Sequence, residues 1–226
     1  MNILVVAAHP DDEVLGCGGT IARMVREGHQ VMVAILGEGI TSRGGNREEA
    51  DQNQLHHLRQ CSLAAAERLG GVEVLHYDFP DNRFDTVPLL ELVKHIEALI
   101  MRCKPEIIYT QHGGDLNIDH AVTFRATLTA ARPQKHSKLR ALYAYEVPSS
   151  TEWSFQRFAP VFRPTVFRDI TETLELKMAA MQCYEGESRL FPHPRSLENL
   201  RATAQRWGSV AGLDAAEAFE LIMEVA

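Results

Sequence analysis

The sequence lacks the features of several common protein classes. Its four cysteines are far apart and form no CxxC pair, which argues against a cysteine-based zinc site and is typical of free thiols in a reducing cytoplasm. No basic cluster is longer than a pair and the net charge is −7, so nucleic-acid binding through a broad positive surface is disfavoured. No apolar run approaches the length of a membrane span, and no signal peptide precedes the first strand. We therefore expect a cytoplasmic protein.

Two well-known loop motifs are also missing. A glycine-rich GCGG stretch follows the first predicted strand, but the GxGxxG spacing is absent, and acidic side chains occupy the place where the phosphates of a dinucleotide would sit. Ser149, Ser150 and Thr151 do not lie in a GxSxG elbow, so they do not form a serine-hydrolase site.

The chain does contain a regular alternation of short apolar runs and helical patterns. Strands are predicted over 2–8, 30–36, 72–77, 106–110 and 139–145, and helices over 14–28, 47–69, 89–103 and 119–131. This order predicts an α/β fold with a Rossmann-like, mostly parallel sheet and helices on both faces, forming a single three-layer domain over residues 1–226. Beyond residue 160 we predict an edge strand over 162–167 and helices over 171–184, 197–207 and 215–224, with Thr171 as an N-cap.

A polar segment follows each of the first five predicted strands. These segments read AHPDDE, GEGITSR, DFPDNR, QHGGDLNIDH and EVPSSTEW, in chain order. Right-handed crossovers place the C-terminal ends of parallel strands at one edge of the sheet, where open α/β sheets bind ligands. We expect the five segments to converge on one site.

The AHPDDE segment has the composition of a metal site. His9 and Asp12 are three residues apart across a turn that begins a helix, and His120 in NIDH is the best candidate for a third ligand. Asp11 then remains close to the bound water as a general base. The alternative is that these acidic residues only cap a helix. A histidine and three acids within five residues, with a second His–Asp pair at the same edge, favour the metal site.

Three of these segments resemble the PIG-L/LmbE family of zinc-dependent N-deacetylases: AHPDDE, GEGITSR and DLNIDH. The resemblance covers residues 1–145 clearly and the rest loosely. It implies removal of the acetyl group from an N-acetylglucosamine-type unit of a glycan, glycolipid, glycoside or sugar-nucleotide. It also implies that His9, Asp12 and His120 bind zinc and that Asp11 is the general base, as the residues themselves indicate. Fe²⁺ or another divalent ion fits the same ligands, because His and Asp discriminate poorly between them.

The chain departs from that family at Asn117, where the family often has a histidine. An asparagine donates hydrogen bonds but supplies no proton at neutral pH, so Asp11 is expected to carry the proton from water to the leaving amine unless another group substitutes. Asp119 is expected to orient His120. The full set of candidates for orienting a ligand or stabilising an oxyanion is Asp119, Asn117, Asp115, His112 and His193. A lone histidine in a loop is more often a surface residue, which is the alternative for the last two.

The remaining loops offer candidates for holding a sugar. Arg43 and Arg47 are suited to a phosphate, carboxylate or hydroxyl, and Trp153 to a pyranose face; the alternatives are a solvated helix face for Arg47 and core packing for Trp153. The full set is Glu13, Ser42, Arg43, Arg47, Asp81, Asn82, Arg83 and Trp153. The expected partner is a small N-acetylated sugar, and a homo-oligomer is left open. Two other functions remain: a metal-dependent hydrolase of a non-sugar amide, and a non-catalytic glycan- or nucleotide-binding module.

Overall fold

The computed structural model of the protein describes residues 1–41, 52–135 and 137–225. Within them, the strands are β1 (Asn2–Ala7), β2 (Gln30–Gly37), β3 (Glu73–Phe79), β4 (Ile107–Gln111), β5 (Ala141–Tyr145), β6 (Val166–Asp169) and β7 (Ala216–Glu224). The α-helices are α1 (Asp12–Arg26), α2 (Gln52–Arg68), α3 (Leu89–Cys103), α4 (Ile118–Ala130), α5 (Leu174–Cys183) and α6 (Leu197–Ala211). None of the helices in these ranges is both long and apolar enough to cross a membrane.

The strands form one seven-stranded sheet in the order β3-β2-β1-β4-β5-β7-β6. β1 to β5 are parallel to one another, and β7 runs antiparallel to both β5 and β6. The chain passes from β1 to β2 and β3 on one side and then returns to β4 on the other side of β1. The point between β1 and β4 is therefore the topological switch point, and open α/β sheets bind ligands in the crevice outside the carboxyl ends of the strands at such a point.

β1 is apolar throughout because both of its faces are buried. Ile3, Val5 and Ala7 belong to one core cluster, which packs against α1, α2, α5 and α6. Leu4 and Val6 belong to a second cluster, which packs against α3 and α4. Successive side chains of a strand point to opposite faces, so this alternation divides the structure into three layers. The predicted mostly parallel sheet with helices on both faces is confirmed.

The prediction of a helix over 215–224 is wrong, because this segment is β7. Alanine and glutamate favour helices on average, but β7 pairs on both sides and its first four residues are buried. A strand enclosed on both faces does not show the alternation that normally reveals it. Sheet pairing with distant residues has overridden the local helix propensity of the sequence.

Two smaller predictions at the C-terminal side also shift. The edge strand exists, but β6 covers Val166–Asp169 instead of 162–167. Thr171 is not the N-cap of α5: the cap position is Thr173, and the Thr171 hydroxyl donates to Asp169 Oδ1 at 2.7 Å. Thr173 has no capping hydrogen bond and instead donates to the Gly19 carbonyl at 2.8 Å, which ties α5 to α1.

The GCGG stretch, residues 16–19, contains a break in the helical geometry of α1. Cys17 leaves helical geometry, with φ −145° and ψ 22°. The backbone amides of Gly19 and Thr20, just past this kink, donate to the two carboxylate oxygens of Glu217 on β7, at 3.0 and 2.7 Å. A buried carboxylate thus caps the second part of α1 in the way that an N-cap residue does.

Candidate metal centre and catalytic site

Three candidate ligands meet at the switch point between β1 and β4. His9 and Asp12 lie in the turn that links β1 to α1, and His120 lies in the first turn of α4. Their side chains are buried and offer one ligand atom each, all within 4.8 Å of one another. Asp12 Oδ2 is 3.3 Å from His120 Nε2 and 3.5 Å from His9 Nδ1. The structure therefore brings together the three residues that were predicted as metal ligands.

The hydrogen bonding of the Asp12 carboxylate indicates that this cluster fits a cation. Its Oδ2 atom accepts hydrogen bonds from the His9 backbone amide at 2.8 Å and from Gln111 Nε2 at 2.9 Å. Its Oδ1 atom is buried and has no hydrogen-bond partner among the described residues. A buried oxygen of this kind is costly unless something positive binds it. Two imidazoles and one carboxylate are also a donor set suited to zinc with an open coordination position.

The electrostatics of the cluster point the same way. Burial disfavours the charged imidazole of His120, but Asp12 and Asp115 outweigh it and raise the pKa of His120 to about 9. Burial alone would also raise the pKa of Asp12, but His120 and His9 lower it well below its ordinary value. Without a metal, a proton on His120 therefore supplies the positive charge that balances the carboxylates of the site. A divalent cation competes with those protons for the same nitrogen and oxygen atoms.

His9 is oriented by Asp119, which is not the partner that the sequence suggested. His9 Nε2 lies 2.9 Å from Asp119 Oδ2 in a hydrogen bond, so Asp119 orients His9 instead of His120. Asp119 also accepts from the backbone amides of Asn82 and Phe84, at 2.6 and 2.8 Å. The expectation failed because the i+1 neighbour on a helix points about 100° away from His120. With Nε2 donating to a carboxylate, Nδ1 of His9 is left to bind a metal.

His120 is oriented by Asp115 from the loop that follows β4. His120 Nδ1 is 3.1 Å from Asp115 Oδ1. That carboxylate accepts hydrogen bonds from the hydroxyl groups of Ser150 and Thr151, the latter at 2.6 Å. It also accepts one from the backbone amide of Asn117 at 2.8 Å. Burial opposes ionisation of Asp115, but His120 and these hydroxyl groups lower its pKa. Ser150 and Thr151 thus serve the site through Asp115.

A second group of possible ligands shares His9. It consists of His9, Asp81 and Asp119, with Asp81 Oδ1 3.3 Å from His9 Nε2. A neutral imidazole carries one N–H and one free lone pair. If Nδ1 of His9 binds a metal, then Nε2 carries the N–H group, which donates a hydrogen bond to Asp119 Oδ2. The second group is therefore best understood as the support of His9, and Asp81 belongs to that support.

Asp11 lies beside the cluster in an unusual backbone conformation. It precedes α1 with φ 104°, in the left-handed region that residues other than glycine rarely adopt. Strain of this kind is most often found at functional sites. Asp11 Oδ2 accepts from Arg195 Nη1 at 2.6 Å. Burial raises the pKa of Asp11 well above its usual range, and Arg195 opposes that rise.

Glu13 holds the backbone of the turn between β1 and α1. Its Oε2 atom accepts the backbone amide of Asp11 at 3.1 Å, and its Oε1 atom accepts the hydroxyl of Tyr184. The side chain is buried, and burial raises the pKa of Glu13 to about 7 against the hydrogen bond from Tyr184. Both carboxylate oxygens are therefore used within the protein. Glu13, which was predicted as a substrate contact, therefore holds the backbone of the turn.

Asn117, at the position where the family often has histidine, is built into the scaffold. Its Oδ1 atom caps α4 by accepting the Asp119 amide at 2.8 Å, and its Nδ2 group donates to Asn82 Oδ1 at 3.1 Å. Asn82 has φ 54°, and its amide side chain reaches Asp81 Oδ1 at 3.2 Å. Asn117 and Asn82 are therefore a linked pair of amides beside the cluster.

The other candidates divide into four groups. His112 faces Glu220 of β7, with Nε2 3.1 Å from Oε2, and Phe162, and it contacts none of the candidate ligands. His193 and Trp153 contact each other edge to face at a centroid distance of 5.5 Å, with Trp153 39% exposed. Arg83 is exposed at the end of the loop after β3. The predicted substrate contacts Ser42, Arg43 and Arg47 lie outside the described residues.

Two residues whose side chains contact the carboxylates of Asp11 and Asp12 were not predicted as site residues. Gln111, the last residue of β4, donates to Asp12, and its position at the end of a strand next to β1 was the available signal. Arg195 reaches Asp11 from 184 residues away in the chain. No local pattern in the sequence singled out this arginine.

Comparison with known proteins agrees with this geometry. The family model described as PIG-L, GlcNAc-PI de-N-acetylase, matches residues 4–131, more than half of the chain. The chain belongs to the PIG-L family. The matched range contains all three candidate ligands and Asp11, whereas Arg195 and Tyr184 lie beyond it.

Individual relatives extend the likeness to most of the chain. The uncharacterized deacetylase YaiS of Escherichia coli K12 is 29% identical over 193 residues, covering 82% of this chain and 91% of the relative. The probable N-acetyl-α-D-glucosaminyl L-malate deacetylase 2 of Bacillus cereus is 26% identical, covering 91% and 93%. The crystal structure of the 4-carboxy-2-hydroxymuconate hydratase GalB from Pseudomonas putida KT2440 has a TM-score of 0.78 at 23% identity, covering 100% of this chain and 98% of GalB. At this level of identity, the similarity to GalB shows that the two proteins share a fold.

Proposed function

We propose that this PIG-L family member is a zinc-dependent hydrolase that removes the acetyl group from an N-acetylated amino sugar of the N-acetylglucosamine type. The observation that carries the proposal is the buried cluster of His9, Asp12 and His120 next to Asp11. The family membership and the deacetylase relatives support the reaction. Zinc is the metal we favour, because two histidines and one aspartate are a ligand set that zinc uses in catalytic sites.

The ligands divide the work between them. Asp12 and the two imidazoles would hold the cation, which when bound would act as a Lewis acid and lower the pKa of its bound water. Asp119 and Asp115 fix the rings of His9 and His120. These outer carboxylates set which ring nitrogen is free and raise its basicity.

Asp11 is the group we assign to proton transfer. One of its oxygens, Oδ2, is paired with Arg195. We assign its other oxygen, Oδ1, to the attacking water. A carboxylate there takes a proton from water and returns it to the leaving amine. In this scheme Asn117 supplies no proton, since an amide does not ionise at neutral pH, and its side chain instead bonds to Asp119 and Asn82.

The sugar is expected to lie against the loops after β3 and β5. Asn82 and Arg83 are exposed and provide donors and acceptors for hydroxyl groups. Trp153, partly exposed and held edge-on by His193, provides an apolar face for a pyranose ring. We propose Arg43 and Arg47 as contacts to an anionic carrier group of the sugar, on the strength of their sequence position alone.

Acetate release is the experiment that tests this function. The protein, loaded with Zn²⁺, is incubated with N-acetylglucosamine, N-acetylglucosaminyl malate and a simple non-sugar acetamide. We expect release from at least one sugar and none from the simple amide. Turnover of the non-sugar amide alone would refute the sugar assignment. Because a hydratase shares this fold, and a fold does not fix the reaction, hydration of an unsaturated carboxylic acid without acetate release would refute deacetylation altogether.

Two further expectations accompany the proposal. All four cysteines are free thiols, which supports a cytoplasmic location. We also keep the prediction of a single domain over residues 1–226, which the continuous sheet from β3 to β6 supports.

A further inference from the structure

Arg195 is the one arginine that contacts the assigned general base within the described residues, and two of its guanidinium nitrogens donate hydrogen bonds there. Nη1 donates to Asp11 Oδ2 at 2.6 Å and to Glu187 Oε2 at 3.3 Å, and Nε donates to Ser149 Oγ at 2.8 Å. The side chain is 22% exposed, while those of Asp11 and Glu187 are 2% and 6% exposed. The planar, forked donors of arginine fix the direction of each partner.

The backbone of Asp11 is held from the same region of the chain. Its amide donates to Glu13, which in turn accepts the Tyr184 hydroxyl. Tyr184 is the C-cap residue that directly follows α5, and Arg195 lies in the loop between α5 and α6. A residue at φ 104° keeps that conformation only when its surroundings determine it. The segment from Tyr184 to Arg195 therefore holds Asp11 in two ways. Tyr184 holds its backbone through Glu13, and Arg195 holds its side chain.

We propose that Arg195 is a positioning residue for the reaction: by fixing Oδ2 of Asp11, it turns Oδ1 toward the attacking water. The inference rests on the proposed function of Asp11. It also assigns a task to a part of the chain beyond residues 4–131, the range that the family model matches. Residues 184–195 complete the site, and Asp11 is not set by its own AHPDDE segment alone.

Charge pairing alone does not account for the arrangement. A lysine would neutralise Asp11 and Glu187 as well, but its ammonium group cannot reproduce the fork that also ties Nε to Ser149. Ser149 itself has φ 72°, and its amide donates to Glu152 Oε1 at 2.6 Å. The anchor of Arg195 is thus a fixed turn of the loop after β5. Fixed support of this kind is what a positioning role requires.

The test compares Arg195→Ala and Arg195→Lys with wild type, with Arg201→Ala as the control. Arg201 lies in α6 and pairs with the exposed Glu175 on the surface. We expect Arg195→Ala to lower kcat about 100-fold, the cost of a displacement of about 1 Å at a reacting group, with KM and bound zinc unchanged. Millimolar guanidinium chloride should restore part of the lost kcat in Arg195→Ala and should not affect Arg201→Ala. Equal kcat in wild type and Arg195→Ala would overturn the proposal.

The Arg195→Lys variant tests the positioning role if Arg195→Ala does not fold. We expect a folded protein with kcat lowered about tenfold or more, a loss of about 1.4 kcal/mol in transition-state stabilisation. Wild-type kcat in this variant would show that charge alone suffices and would overturn the positioning role. A loss confined to KM would do the same, because it would indicate contact with the substrate.

A second measurement separates this inference from the proposed function. Urea unfolding midpoints of Asp11→Asn, Arg195→Ala and the double variant test the contact without any substrate. Coupled residues give non-additive shifts, so Arg195→Ala should shift the midpoint less when Asp11 is already replaced. Additive shifts would overturn the inference even if the wild type deacetylates sugars. Non-additive shifts in a protein that releases no acetate would refute the proposed function and would still support the coupling between Arg195 and Asp11.

Discussion

Replacing Lys177 with methionine tests how the fold supports the metal turn. Lys177 Nζ donates to Glu217 Oε1 at 2.6 Å and to the Leu15 carbonyl at 2.9 Å, beside the kink in α1. Lys177 and Glu217 are 5% and 4% exposed. Methionine has a similar length but no charge, so Lys177→Met leaves the Glu217 carboxylate buried without its cation.

The expected loss of stability is large. Removing one partner of a buried ion pair costs about 3–5 kcal/mol, because the remaining charge stays desolvated. In a chain of this size each kcal/mol lowers the melting temperature by about 2–4 °C, which gives a decrease of about 6–20 °C. The double variant Lys177→Met/Glu217→Gln should recover part of the loss, since a neutral amide oxygen still accepts from the amides at the kink.

Calorimetry and urea unfolding provide the assay, with Lys94→Met as the control. Lys94 makes an ion pair with Glu97 at the same N–O distance of 2.6 Å, but its side chain is 64% exposed. Exposed pairs contribute about 0–1 kcal/mol, so Lys94→Met should have little effect. If Lys177→Met lost no more stability than Lys94→Met, the buried pair would not support α1 and the reasoning would be refuted.

Three further predictions concern the site. Asp11→Asn should keep bound zinc and lower kcat about 10²–10⁴-fold, the range for general-base catalysis; near-normal turnover would contradict that role. Asp115→Asn should weaken zinc binding about 10–100-fold, measured by competition with a chelator, and unchanged affinity would show that Asp115 does not orient His120. Because the pKa of His120 is raised to about 9, the ring is protonated at pH 7 in metal-free protein, and zinc must displace that proton. Calorimetry should therefore show proton release on binding and an affinity that rises from pH 7 to pH 9; an affinity independent of pH would argue against His120 as a ligand.

The part of the structure that the sequence revealed is the part governed by local patterns. β1 to β5 are short apolar runs whose polar ends fall at one edge of the sheet, so the meeting of His9, Asp12 and His120 followed from the topology of parallel strands. The turn, the helix start and the ligand spacing all lie within a few residues of each strand end.

The features that sequence analysis missed depend on distant contacts. β7 carries helix-favouring residues and becomes a strand because β5 and β6 enclose it. Arg195 and Asp11 are far apart in the chain, and no periodicity links them. Which carboxylate orients which histidine depends on side-chain direction within one turn of α4, and that is why Asp119 was paired with the wrong ring.

The most direct test of the account is a titration of metal-free protein with Zn²⁺, in which acetate release from an N-acetylated amino sugar is followed at each addition. We predict that activity appears with the first additions and reaches a plateau at about one zinc per chain, and that His120→Ala neither binds zinc tightly nor gains activity. Full acetate release by the metal-free protein, or an unaffected His120→Ala variant, would contradict the assignment of His9, Asp12 and His120 as the metal site.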